Sequence, residues 1–180
     1  MQSSLERTLA KKYIGYPFQP AVRNSRGEMV FKKSALIRWL TYLIFLMTLA
    51  LLVYQQFDDS FEVDERALFV LGIGSALVLL GFLSIVFTFS KVVVTEQGLR
   101  FYRWYGAKMI HFTDITEVGH TRFFGGQLLV KGARRSAWVS IDYVGTAELV
   151  KLLCEKIGED RCFKASKALN KRRQELEGLN

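Results

Sequence analysis

The chain is poor in several residue types on which chemistry often rests. Its 180 residues include two histidines, two cysteines and two prolines. Two cysteines, Cys154 and Cys162, cannot build a disulfide framework. They read as reduced thiols on a cytoplasmic side. A Cys154–Cys162 redox pair is disfavoured, because small buried thiols are common on helix margins. A protein metal site takes three or four ligands. His111 and His120 have no cysteine near them in sequence, and strands set them on opposite faces or apart, so no metal is expected. No phosphate-cradling or dinucleotide loop occurs, and Gly125-Gly126 reads as a hairpin turn. Paired acids or histidines are missing near the long apolar segments. No enzyme activity and no cofactor are therefore expected. A signal peptide is also not seen: the N-terminus has no apolar core of its own.

Charge is missing from two long stretches. Trp39–Phe57 and Ala67–Ser90 contain no Asp, Glu, Lys, Arg or His. Each reaches the roughly 20 apolar residues that a helix needs to cross a bilayer. The spacing predicts a transmembrane hairpin over 36–90, with spans at about 36–57 and 67–89 and an acidic outer loop at 58–66. Uncharged interiors argue against an ion pathway or proton relay. The net charge of +8 is uneven. Residues 1–35 and 91–180 are basic, while the loop has one basic residue, Arg66, so both termini are placed in the cytoplasm. Arg38 snorkels toward headgroups. Trp39, Tyr42 and Tyr54 fall at the interfaces. In the second span, Ala67, Gly74 and Gly81 stand seven apart, with Thr88 continuing the series. Small residues let helices approach closely in lipid. Packing within the hairpin is the preferred reading, and a homo-oligomer seam is the other.

Before the hairpin, residues 3–14 predict a short helix with a Ser3–Glu6 capping box and Leu5, Leu9 and Tyr13 on one face. It either lies on an anionic membrane surface or packs on its own domain. Residues 16–31 read as an irregular linker with a hairpin near Ser25–Gly27. After Ser90 the pattern becomes β-like. Lys91–Thr95, Leu99–Trp104, Lys108–Phe112, Ile115–His120, Gln127–Lys131 and Ala137–Ile141 are short β-branched and aromatic runs separated by turn signals. Thr146–Ile157 predicts a helix with Leu149, Val150, Leu153 and Ile157 on one face, stopped by Gly158. Residues 159–180 predict a polar, basic helical tail. Four segments result: 1–35, 36–90, 91–158 and 159–180. Because Ser90 leads straight into a strand, the hairpin is expected to fix the orientation of the β domain.

Lys91-Val-Val-Val-Thr-Glu-Gln-Gly-Leu-Arg-Phe-Tyr102 and Ile110-His-Phe-Thr-Asp-Ile-Thr-Glu-Val118 resemble bacterial pleckstrin-homology-like membrane proteins. The resemblance covers roughly residues 36–158. It implies an α+β membrane protein: a two-helix hairpin, then a PH-like antiparallel β half-barrel capped by Thr146–Ile157. Asp114 would be a turn residue. It supplies no catalytic residues, and known members are adaptors or of unassigned role. A photosystem I assembly factor of plastids and cyanobacteria is similar in outline only. The implied location is a bacterial inner or thylakoid membrane.

The candidate contact residues are basic or aromatic. Lys131, Arg134 and Arg135 surround one turn, and Arg100, Arg103 and Lys108 another. Basic loops near a membrane attract anionic lipid. The tail's Lys171-Arg172-Arg173 is interspersed with Glu175 and Glu177, so nucleic acid is not an expected partner. Most aromatics of the β region are expected in the core. Phe123 and Phe124 cannot both point inward on a strand, so the Arg122-Phe123-Phe124 turn is a candidate partner or lipid contact. The function these features imply is a non-enzymatic, membrane-anchored scaffold that assists a membrane protein complex. The alternative is a sensor of anionic lipid.

Overall fold

A computed structural model describes residues 4–55, 63–122 and 126–178. The chain is α+β and divides into two compact units: Met1–Lys33 with Ser90–Asn180, and Ser34–Phe89.

The second unit is an antiparallel pair of helices, α2 (Ala35–Gln55) and α3 (Val63–Phe89). Both are long and apolar enough to cross a membrane, over Ala35–Tyr54 and Leu68–Phe89. Ser34 caps α2, its hydroxyl accepting the Ile37 N–H at 3.3 Å. Residues 63–66, expected in the loop, belong to α3. The rest of the expected loop, 58–62, lies outside the described residues. The helices meet where Tyr42 and Thr88 share a hydrogen bond. A Cβ at Gly81 would lie 3.5 Å from the Phe45 ring, so Gly81 allows close approach. Cβ atoms at Gly74 and Gly72 would meet nothing within 4 Å. The heptad of small residues is therefore used inside the hairpin at Gly81 and not at Gly74. Ala67 is helical, and its side chain lies outside the described residues.

The first unit is built on two antiparallel sheets. Five strands run in order: β1 (Val22–Arg23), β2 (Met29–Lys32), β3 (Lys91–Val94), β4 (Gly98–Arg103) and β5 (Gly106–His111). Three more follow: β6 (Ile115–Thr121), β7 (Gln127–Gly132) and β8 (Ser136–Ser140). All six strands expected after Ser90 are present, each within a residue or two of its expected span. Their inward positions are aliphatic: Val92, Leu99, Ile115, Val118, Leu128, Val130 and Val139 are buried, with Phe31 and Phe101. Helix α4 (Thr146–Ile157) lays Leu149, Val150 and Leu153 on this core.

Three features differ from expectation. First, residues 16–31 are not an irregular linker. Tyr16 and Pro17 are buried, β1 and β2 form the expected hairpin, and β2 pairs with β3. A four-residue strand whose partner lies beyond the hairpin leaves little local signal. The segment is also fastened to α4, because the Gly145 N–H donates to the Tyr16 carbonyl and the Ala21 N–H donates to Glu148 at 2.9 Å. Gly145 has φ 83°, and a Cβ there would lie 2.8 Å from the Ala21 backbone, so only glycine fits without a shift. Second, the tail is part of the core. Helix α5 (Glu159–Glu177) buries Cys162, Ala165 and Leu169, a narrow stripe of mostly small residues hidden among charges. Third, the aromatics mostly do not fill the core. Phe101 is buried, but Trp104, Tyr105 and Trp138 are exposed, while Phe123 and Phe124 lie outside the described residues. Helix α1 (Ser4–Gly15) is present, and Ser3 of its expected capping box lies outside the described residues.

Candidate functional site

The strand register collects one set of side chains at one end of the β unit. Lys32 pairs with Lys91, and Lys91 with Tyr102. The chain leaves for α2 and returns from α3 at this end. Here β4 turns into β5 through the exposed Trp104 and Tyr105, whose rings meet edge to face. Lys91 lies over the Tyr102 ring at 4.9 Å. Arg103 donates to the Trp138 carbonyl of β8, bridging the two sheets. The Val144 N–H donates to the Lys32 carbonyl at 3.1 Å, which brings the end of β8 to the same place. Thr121, Arg122 and Gln127 belong to this end too, because Thr121 pairs with Gln127 and Gln127 with Ser140.

The predicted contact residues therefore separate. Arg122 is exposed at the end through which the hairpin joins. The turn of Lys131, Arg134 and Arg135 lies at the other end of β7, about 17 Å along the strand. Lys131 is paired with Glu117 at 2.8 Å, while Arg134 and Arg135 are exposed. Lys108 donates to the Ser136 carbonyl beside that turn. Two basic turns that read alike in sequence thus occupy different surroundings.

Beneath the near end lies a polar cluster with no signal in sequence. Asp142 is 1% exposed. Its carboxylate accepts from the Tyr13 hydroxyl at 2.7 Å and from Arg172, and pairs with Lys33 at 3.5 Å. A buried carboxylate is tolerable only when paired and hydrogen-bonded. Here α1, the residue after β2, the β8–α4 loop and α5 each contribute one member. Burial, and then the bond to Asp142, push the Tyr13 hydroxyl up to about 12. Burial lowers the Lys33 ammonium from its ordinary value, against the opposing pull of Asp142.

Beside this cluster a groove of about 730 Å³ runs between α5 and the β6–β7 end. His120, Arg122, Lys164, Lys167, Lys171 and Arg172 line it, with Ile141 and Ala168 as apolar wall and Glu175 as its acid. Lys164 is held by Glu117 at 2.7 Å. Lys171 reaches Glu175 only at 4.0 Å. Among the described residues, Arg122 and Lys167 have no carboxylate within ion-pair distance. Burial, and then Arg122 and Arg172, hold the His120 imidazole below its ordinary value, so it is neutral near pH 7. Arg122 was a contact candidate from sequence and α5 was expected as a basic helix, but nothing in the sequence brings the two to one groove. At the far end, a hollow of about 620 Å³ mixes Arg23, Arg26 and Arg100 with Glu28 and Glu96, which offset them.

Cys162 is buried and its thiol is pushed up to about 12 by burial and by Cys154, so it is a poor nucleophile. Among the described residues no group of three or more His, Cys, Asp or Glu is placed to hold a metal. Comparison with protein-family models, curated proteins and solved structures finds no match.

Proposed function

We propose that this protein is a non-enzymatic interaction module anchored in a membrane by α2 and α3, with both termini on the cytoplasmic side. Its β unit is PH-like and serves as a scaffold for a membrane protein complex. The observation that carries the reading is the surface of the helix pair. Only 6% of each membrane-length window is buried, and Leu68, Leu71 and Val78 are 70–76% exposed. A core helix would bury such residues; exposed to water they would be an aggregation liability, and lipid removes that conflict. The PH-like assignment is supported by strands β2–β5, then β6–β8, then α4 across the core, with the hairpin spliced between β2 and β3.

The test is fractionation of the full chain, followed by isolation from gentle detergent. Resistance to alkaline carbonate, protease-protected residues 56–62 and a stoichiometric protein partner are expected. Release by carbonate would refute the anchor, and recovery of the chain alone would refute the scaffold.

A second reading, contact with anionic lipid, is favoured by Trp104, Tyr105, Lys91 and Arg103 gathering at one sheet end. Trp and Tyr prefer bilayer interfaces, and basic residues prefer anionic surfaces. In nanodiscs, brominated lipid should quench Trp104 fluorescence, and a Trp104→Phe variant should lose that component. Equal quenching of the two would exclude this contact.

A further inference from the structure

The groove on α5 has the features of an anion site. Arg122 enters it from the end of β6, and Lys167 and Lys171 enter from successive turns of α5. Other cations near it are already committed: Arg172 to Asp142 and Lys164 to Glu117. Lys171 lies 4.0 Å from Glu175, so among the described residues Arg122, at the end of β6, and Lys167, on α5, are the cations of this groove with no carboxylate within ion-pair distance. Two cations facing one cavity repel each other unless an anion or solvent intervenes. A guanidinium donates in a planar fork that matches phosphate oxygens, and an ammonium adds a point charge. Ile141 and Ala168 give the same cavity an apolar wall. Its volume of about 730 Å³ is too large for a bare inorganic ion and falls within the range of small-molecule pockets.

We infer that this groove binds a phosphate ester with a small organic body, Arg122 and Lys167 holding the phosphate and Ile141 and Ala168 facing the organic part. Phosphoglycerol serves as the probe of this class. It occurs both as a soluble ester and as an anionic lipid headgroup. The site needs no membrane insertion to exist, so it stands or falls separately from the anchor.

The test uses the full chain in a neutral maltoside detergent and phosphate-free buffer. Glycerol 3-phosphate and short-chain phosphatidylglycerol are titrated by calorimetry, with short-chain phosphatidylcholine as control. Binding of at least one of the two anionic probes is expected, and the double variant Arg122→Gln/Lys167→Gln should weaken it by at least about tenfold. The variant Lys151→Gln/Lys156→Gln, on exposed positions of α4 outside the groove lining, should bind as the parent does. Equal binding by the soluble ester assigns a soluble ligand; binding confined to phosphatidylglycerol assigns a lipid headgroup. A readout on the unaltered chain guards against misfolding of the variant. Bound phosphate should raise the His120 imidazole titration followed by NMR, because His120 shares the cavity. No binding of either probe, binding undiminished in the groove variant, or equal loss in the α4 variant would overturn the assignment.

Discussion

Lys32 and Lys91 stand opposite each other in the β2–β3 ladder, although the whole helix pair lies between them in sequence. The β unit is therefore closed across the point where the hairpin is inserted. Antiparallel neighbours need only a tight turn to connect them. A chain in which a short Asn-Gly turn replaces Ser34–Phe89 should fold as a monomer in water, with a cooperative thermal transition. Circular dichroism and size-exclusion chromatography check this. Aggregation or a non-cooperative melt would mean that the β unit needs the hairpin to fold.

Asp142 ties four separate segments together through Tyr13, Lys33 and Arg172. Removing one member of a buried ion pair strands the others and typically costs about 3–5 kcal/mol. Asp142→Ala should destabilise the protein by that amount, measured by denaturant melts of the β unit or the full chain. Replacing Arg172 and Asp142 together by apolar residues should cost less than the two single changes summed. An additive result would show that the two charges do not act as a pair.

How much of this was legible follows from the range of each interaction. The six strands after Ser90 and helix α4 were readable because a strand or a helix face is set by neighbours within a few residues, as in Leu99, Phe101 and the stripe of Leu149 and Leu153. Helices α2 and α3 were readable from length and missing charge alone. The pairing of Phe31 with Val92 was not, because no periodicity links residues separated by a whole hairpin. Asp142 carries no local signal, since its partners come from positions 13, 33 and 172. Most aromatics of the β region were expected in the core, yet Trp104 and Tyr105 occupy an exposed hairpin tip. Of the groove, Arg122 was singled out in sequence and α5 was expected only as a basic helix; the fold of β6 onto α5 brings them together.

Glu117 connects the second sheet to α5. Hydrogen bonds from Lys131 and Lys164 hold its carboxyl at about 2, below its ordinary 4.5. The folded chain thus favours the ionised form more than the unfolded chain does. Its contribution is complete above pH 4.5 and is lost as pH falls from 4.5 toward 2. Glu117→Gln should remove this part of the acid sensitivity, so the parent and the variant should differ more at pH 6 than at pH 2. Acid titrations of stability, in low salt because the group is accessible to solvent, check this. A constant difference across that range would show that Glu117 titrates normally.

Gly81 and Gly74 belong to the same small-residue series in α3, but their surroundings differ. A side chain at 81 would press on the Phe45 ring, while one at 74 would enter open space. Overpacking a close contact costs about 1–3 kcal/mol, whereas a substitution away from contacts stays within about 0.5 kcal/mol. Gly81→Leu should therefore loosen the helix pair, and Gly74→Leu should leave it unchanged. Disulfide crosslinking between cysteines introduced at 42 and 88, where Tyr42 and Thr88 now meet, reports the pairing directly. Loss of crosslinking in the Gly81 variant alone would place the tight crossing within the hairpin. If Gly74→Leu instead disrupted a dimer while intrachain crosslinking stayed intact, the glycine series would serve two surfaces: residue 81 inside the chain and residue 74 between copies.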